Sequence, residues 1–171
     1  PLGVTGAEAL AAWREQSHTA QRPLVLCLDS AGARLDEGLA ALGAFRQLYR
    51  KLLDLRLAGL PLLGLIGRDC FGGASMLAAT CARRVYSATS RLAMSGPAVI
   101  QALGGVAELA ASNAAAVTAL MGGEARAQLV TSEPLLENAL SGYRQAARHW
   151  VTDYAGPLRL PLDTTPTRTR C

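Results

Sequence analysis

The chain alternates between two kinds of apolar pattern. Two short continuous runs, LVLCL at residues 24–28 and LLGLI at residues 62–66, hold no charged residue and read as strands buried on both faces. Between them Leu35, Leu39, Leu42, Phe45, Tyr49 and Leu52 recur every three or four residues, while Asp36, Glu37, Gln47, Arg50, Lys51 and Asp54 fill the other positions. That spacing predicts a long amphipathic helix, with its acids early and its bases late as the helix dipole favours. A further helix is expected over about residues 5–19, where Thr5 would cap the start and Glu8, three residues on, would complete a capping box. Strand, helix and strand in that order predict a βαβ unit with parallel pairing and a right-handed crossover.

After the second run comes GRDCFGGASMLAATCARR, residues 67–84, which reads as a turn leading into a helix over about residues 72–82. RRVYSA and RLAMS follow as short strands, and Gly96-Pro97 opens another helix near Ala98. Residues 108–130 are rich in alanine and helical in composition, with a break at Gly122-Gly123, and residues 133–149 predict one more helix. From Gly156 onward Pro157, Pro161 and Pro166 stand among threonines and arginines, so an extended or disordered tail over 156–171 is expected after one domain over residues 1–155. The expected fold class is α/β with a mainly parallel sheet.

Composition narrows the function more than the fold. Half the residues are hydrophobic and only 5% are aromatic, so the core is built from Leu, Ala and Val, which suits closely packed layers. Arg56, Arg68 and the Arg83-Arg84 pair interrupt the most apolar stretches, which argues against a membrane-spanning helix of about 18 residues or more. The net charge of +4 is spread along the chain without a block of like charges, which argues against nucleic acid and leaves room for an acidic partner. Cys27, Cys70, Cys81 and Cys171 form no CxxC and have no histidine near them in sequence. No metal site or disulfide framework is expected, and reduced thiols fit a cytoplasmic protein.

Candidate chemistry concentrates at the two strand-to-helix turns, which a parallel sheet delivers to one edge, where ligands bind in such sheets. At the second turn Gly72 and Gly73 can bring main-chain N–H groups at a helix start close to a ligand, where they could stabilise an oxyanion; a tight packing turn is the plainer reading. Cys70 at a helix start could be a nucleophile, but Asp69 is adjacent and a small buried residue is the simpler account. Ser75 would need a histidine to activate it, and His18 and His149 both fall at expected helix ends. Arg68 and Asp69 could pair with each other, or Arg68 could hold a carboxylate or phosphate.

LDSAGARLDEG at residues 28–38, CFGGAS at residues 70–75 and RLAMSGPAVIQ at residues 91–101 stand in an order that resembles the carboxyltransferase branch of the crotonase superfamily. GGVAEL and ALMGGEAR downstream strengthen the likeness to the beta subunits of biotin-independent malonate decarboxylases, over about residues 3–130. The resemblance implies stacked ββα units of the crotonase and Clp type, and a fold whose first strands would precede Gly3. It implies an oxyanion hole from the N–H groups of Gly72, Gly73 and Ala74, and a thioester pocket lined by Ser30, Ala31, Gly32, Ala33 and Arg34, with Arg68 near it and Ser95, Gly96 and Pro97 as its far wall. It further implies decarboxylation of a malonyl thioester to an acetyl thioester through an enolate, with no metal and no cofactor bound covalently to this chain. The thioester would be carried on a coenzyme-A-like group of an acyl carrier protein, and a gamma-type subunit would supply the facing half of the site. A carboxyltransferase subunit of a biotin-dependent acyl-CoA carboxylase is the alternative. A non-catalytic scaffold and a Clp-like protease built on Ser75 are the others; the protease lacks a histidine in the segment that should carry it.

Overall fold

The computed structural model of the chain describes residues 3–10, 12, 22–32, 36–130, 133–137 and 139–153. Ala33, Arg34, His18 and the expected tail lie outside them, as does the domain boundary at residue 155. Helix α1 is described over residues 4–10, and it starts at Val4 rather than at a Thr5 cap. The carboxylate of Glu37 accepts the Val4 N–H at 2.6 Å, so a distant acid closes the helix end instead of a local hydroxyl.

Strand β1 (Leu24–Ser30) is followed by helix α2 (Gly38–Leu57) and strand β2 (Leu62–Phe71). Then come α3 (Gly73–Thr80), β3 (Arg83–Ser87), β4 (Leu92–Ala93), α4 (Pro97–Gly104), α5 (Ala114–Met121), α6 (Gly123–Ala127), β5 (Leu135–Leu136) and α7 (Ala139–Asp153). The strands lie in the order β1-β2-β3-β5, with β4 pairing to the far end of β2, and every named pair is parallel. This is the expected α/β architecture.

The sheet separates two apolar layers. On one face Leu24, Leu26 and Leu28 of β1 and Leu62 and Ile66 of β2 pack against Leu48, Leu52 and Leu55 of α2 and Leu77 and Ala78 of α3. On the other, Leu63, Leu65 and Val85 meet Trp150 of α7. A third cluster, Phe71, Leu109, Val117 and Met121, lies under α4 and α5 beyond the end of β2. Each layer removes several aliphatic side chains from water, at roughly 1.5–3 kcal/mol apiece before chain entropy is counted.

Several expectations shift. Residues 62–66 are buried on both faces, but β1 stands at the edge of the described strands and leaves Cys27 exposed. Helix α2 turns Ala41, Leu48, Leu52 and Leu55 inward and leaves Leu39 and Leu42 84% and 51% exposed, a rotation from the stripe read in sequence. Strand β2 runs on through Arg68 and Asp69 to Phe71, so the turn begins only at Gly72. Residues 133–137 are not helical: Leu135 and Leu136 pair with Tyr86 and Ser87. Buried Glu133 holds this corner, accepting from the Arg84 guanidinium at 2.7 Å and from the Tyr86 hydroxyl at 3.1 Å. Burial pushes the Tyr86 phenol well above its ordinary value, so it stays a hydrogen-bond donor.

Candidate functional site

The edge of the sheet where β1 and β2 end carries both turns, and they approach each other. A methyl group built on Gly72 would lie 3.8 Å from the Gly32 Cα. At the first turn the Ser30 hydroxyl, half-buried, donates to the Gly32 carbonyl at 3.0 Å and accepts the Gly32 N–H at 3.3 Å, closing a small loop at the end of β1. Ala31 is exposed on that loop.

At the second turn Gly72 takes φ 58 and ψ −129, in the region open to glycine, and caps α3. Its carbonyl accepts from Ser75 N at 3.0 Å and from the Ser75 hydroxyl at 2.7 Å. Its N–H donates to the Met94 carbonyl at 2.9 Å. Gly72 is therefore not free to serve as an oxyanion donor, a correction to the set expected from sequence. The N–H groups of Gly73 and Ala74 remain, the first in the helix and without an acceptor among the described residues. Gly73 is required by packing, because a Cβ there would stand 2.8 Å from the Phe45 ring of α2. The helix dipole adds to the pair of donors, and the arrangement suits an oxygen on which negative charge develops.

Neither side-chain nucleophile survives in this geometry. Cys70 is fully buried, and burial, with Asp29 adding repulsion, raises its pKa from 9.0 to about 12. It remains a thiol at neutral pH. The Ser75 hydroxyl is turned back onto Gly72, with the Met94 sulfur 4.0 Å away as its other neighbour. His149 is exposed on α7 and packs with the opposite layer. Arg68 is exposed on β2 and makes no ion pair among the described residues. The possible Arg68–Asp69 pair does not form: Asp69 binds Arg91 instead, its Oδ1 accepting Nη2 at 2.5 Å and Nε at 2.8 Å.

Ser95, Gly96 and Pro97 lead from β4 into α4, with Pro97 in the first turn of that helix. Gly96 lies against Phe71, where a Cβ would come within 3.2 Å of the ring. Sequence reasoning missed the Met94 carbonyl and Arg91. A backbone carbonyl leaves no signal in residue identity, and the Asp69–Arg91 contact is visible only once the β2–β4 register is known. A hollow of about 620 Å³ between α1 and α2, lined by Glu8, Ala40, Gly43, Gln47 and Lys51 among others, touches neither turn. Among the described residues no group of three or more His, Cys, Asp or Glu could hold a metal, and no helix is long and apolar enough to cross a membrane.

The carboxyl transferase domain family matches residues 1–146. A curated relative, the malonyl-S-ACP:biotin-protein carboxyltransferase MADC of Malonomonas rubra, is 29% identical over 124 residues, which cover 71% of this chain and 39% of the relative. A Pseudomonas malonate decarboxylase hetero-tetramer in complex with malonate contains a chain superposing with TM-score 0.81 at 25% identity, over 89% of this chain and 57% of that one. The Pseudomonas malonate decarboxylase MdcD-MdcE hetero-dimer gives TM-score 0.69 at 27% identity, over 86% and 61%. The chain thus spans less than two thirds of each relative.

Proposed function

Because the chain belongs to the carboxyl transferase domain family, in the crotonase-like group that includes malonate decarboxylase subunits, we propose that it is a beta-type malonate decarboxylase subunit acting on a malonyl thioester. The observation that carries the reading is the pair of uncommitted N–H groups on Gly73 and Ala74, at a helix start whose cap, Gly72, lies close to the Gly32 turn. The thioester carbonyl lies between the two turns, with its oxygen toward the donors. The bond between the α-carbon and the carboxylate breaks, CO2 leaves, and the electron pair moves onto the α-carbon and the thioester oxygen. The charge reaches that oxygen only as the bond breaks, so the donors bind the transition state more tightly than the substrate. A proton from water on the α-carbon then gives the acetyl thioester. Ser30, Ala31, Gly32 and Arg68 border the entry of the thioester arm, and Ser95, Gly96 and Pro97 form the far wall.

Two features support a partner subunit. The related structures are hetero-oligomers, and α4, which starts at the far wall, has no buried residue although Val99 and Leu103 are exposed on it. A gamma-type subunit covering that helix and an acyl carrier protein delivering the thioester complete the proposal, in the cytoplasm where the thiols stay reduced. The name of the Malonomonas relative favours a second reading, in which the carboxyl group passes to a biotin-protein. Both readings share the enolate.

The test is CO2 release from a malonyl thioester by the chain assembled with its partner subunit. Ala74→Pro removes one donor in the first turn of α3 and lowers the rate by about 10²–10³-fold, with the urea-unfolding midpoint measured alongside because Ala74 is a core residue. Ser75→Ala retains the rate. Loss of activity in Ser75→Ala with Ala74→Pro intact would sink the backbone mechanism, and carboxybiotin in place of CO2 selects the second reading.

A further inference from the structure

The register of β2 breaks just before the site. Leu28 pairs with Ile66 and Ser30 with Cys70, so Asp29 alone faces residues 67–69. Beyond that break β1 rejoins β2 only at Cys70, so its ladder gives a single pairing to hold the turn after Phe71. β4 takes over, but it is two residues long, Leu92 and Ala93, too short to hold a position by itself. Yet it delivers the Met94 carbonyl that fixes Gly72, and it leads into the far wall.

Side chains replace the ladder across residues 67–69. Gly67 lets Asp29 close in, since a Cβ there would stand 2.6 Å from the Asp29 Cβ, and Asp29 Oδ1 accepts the Asp69 N–H at 3.2 Å. Asp69 Oδ1 in turn takes both donors of Arg91, which sits immediately before β4. The Arg91 guanidinium lies 5.6 Å from the Phe71 ring centroid, and that ring packs on Gly96. Main-chain bonds run beside this relay, from Cys70 N to Arg91 O at 2.9 Å and from Arg91 N to Arg68 O at 3.1 Å. With side chains 23% and 31% exposed, the ion pair adds little to global stability. Its consequence is geometric. Bulges beside active sites re-aim the chain, and this one is pinned by charge.

We propose that Asp69 and Arg91 are positioning residues that hold β4, and through the Met94 carbonyl set the aim of the Gly73 and Ala74 N–H groups. The inference rests on the reading of the turn as the oxyanion site, and its test separates the two. Asp69→Asn keeps the shape and removes the charge; Arg91→Lys keeps the charge and removes the two-donor fork. In the assembled enzyme both lower kcat for CO2 release by about ten- to a hundredfold, with KM changed by no more than about twofold. In the same assembly without substrate, the Gly72 amide exchanges with solvent about tenfold faster while the Leu65 amide keeps its protection. Unchanged exchange at Gly72, or loss of protection spread across Leu65 as well, overturns the positioning role, and so does a rise in KM at unchanged kcat. If the unsubstituted assembly releases no CO2, the proposed reaction falls and the exchange at Gly72 alone decides for or against the pair.

Discussion

Residues 62–66 and 67–71 are consecutive halves of one strand with opposite surroundings. The first half is clamped between β1 and β3, with apolar layers on both faces and Gly64 packed against the Cys81 sulfur. The second half leaves β1 at the bulge and meets it again only at Cys70, carries Arg68 and Asp69, and is held also by β4 and the Arg91 contact. A strand can thus serve as core and as site support within ten residues, provided its neighbours change at the midpoint. The first half serves stability alone, whereas the second, which still buries Cys70 and Phe71, also sets the aim.

The largest test of that division is Ile66→Ala, which opens a cavity in the first half and costs about 2–5 kcal/mol in urea unfolding. Arg68→Ala, in the second half, stays within about 0.5 kcal/mol. Equal costs would erase the distinction. At the junction, Gly67→Ala forces a methyl group onto Asp29 and costs about 1–3 kcal/mol by overpacking. Part of that loss returns when Asp29→Ala is added, and a double-mutant cycle without coupling would show that the bulge gives way elsewhere.

The last test is alkaline, and in it the halves behave alike. Cys70 lies in the second half and Cys81 packs on the first; burial raises each from 9.0 to about 12. Between those values the unfolded chain loses the protons that the folded chain keeps, so folding takes up protons. The stabilisation is intact below pH 9 and declines as pH rises toward 12. Unfolding midpoints followed from pH 8 to pH 10.5 fall, and Cys70→Ala flattens the decline by less than half, because Cys81 and the buried Tyr86 phenol share it. A steeper decline in Cys70→Ala would place the alkaline sensitivity in another group.

The same division explains what could be read from the sequence. LLGLI was legible as a buried strand because every side chain there meets an apolar layer, and the Gly72-Gly73 turn because only glycine fits both its backbone angle and the Phe45 contact. The extension through Arg68 and Asp69 was not, since two charges inside a strand are tolerated only when a remote segment supplies Arg91 and the main-chain partners. The rotation of α2 escaped for a related reason. Leu39, Leu42, Leu53 and Leu57 are exposed beside the inward stripe of Ala41, Leu48, Leu52 and Leu55, and periodicity cannot tell which of two stripes meets the sheet. Leu135 and Leu136 are too short a run to announce a strand before Tyr86 and Ser87 are in place beside them. At the site, residue types pointed to the backbone of Gly72 and Gly73 and the family resemblance added Ala74, while the engagement of Gly72 depended on a carbonyl that any residue at position 94 would carry.

The all-parallel pairing also governs how the chain acquires this structure. Among the described strands none zips onto its sequence neighbour through a tight hairpin: Leu24 waits for Leu62, Leu63 for Arg83, and Tyr86 for Leu135. Each pairing closes a long loop before its contacts repay the lost entropy, which slows the search. During synthesis β1 and β2 can meet while the ribosome is still adding β5 and α7, whose Tyr143 hydroxyl donates to the Ile66 carbonyl. Helix α7 therefore locks the strand on which the turn depends, and a chain interrupted before α7 would present the glycine turn on a sheet not yet fastened.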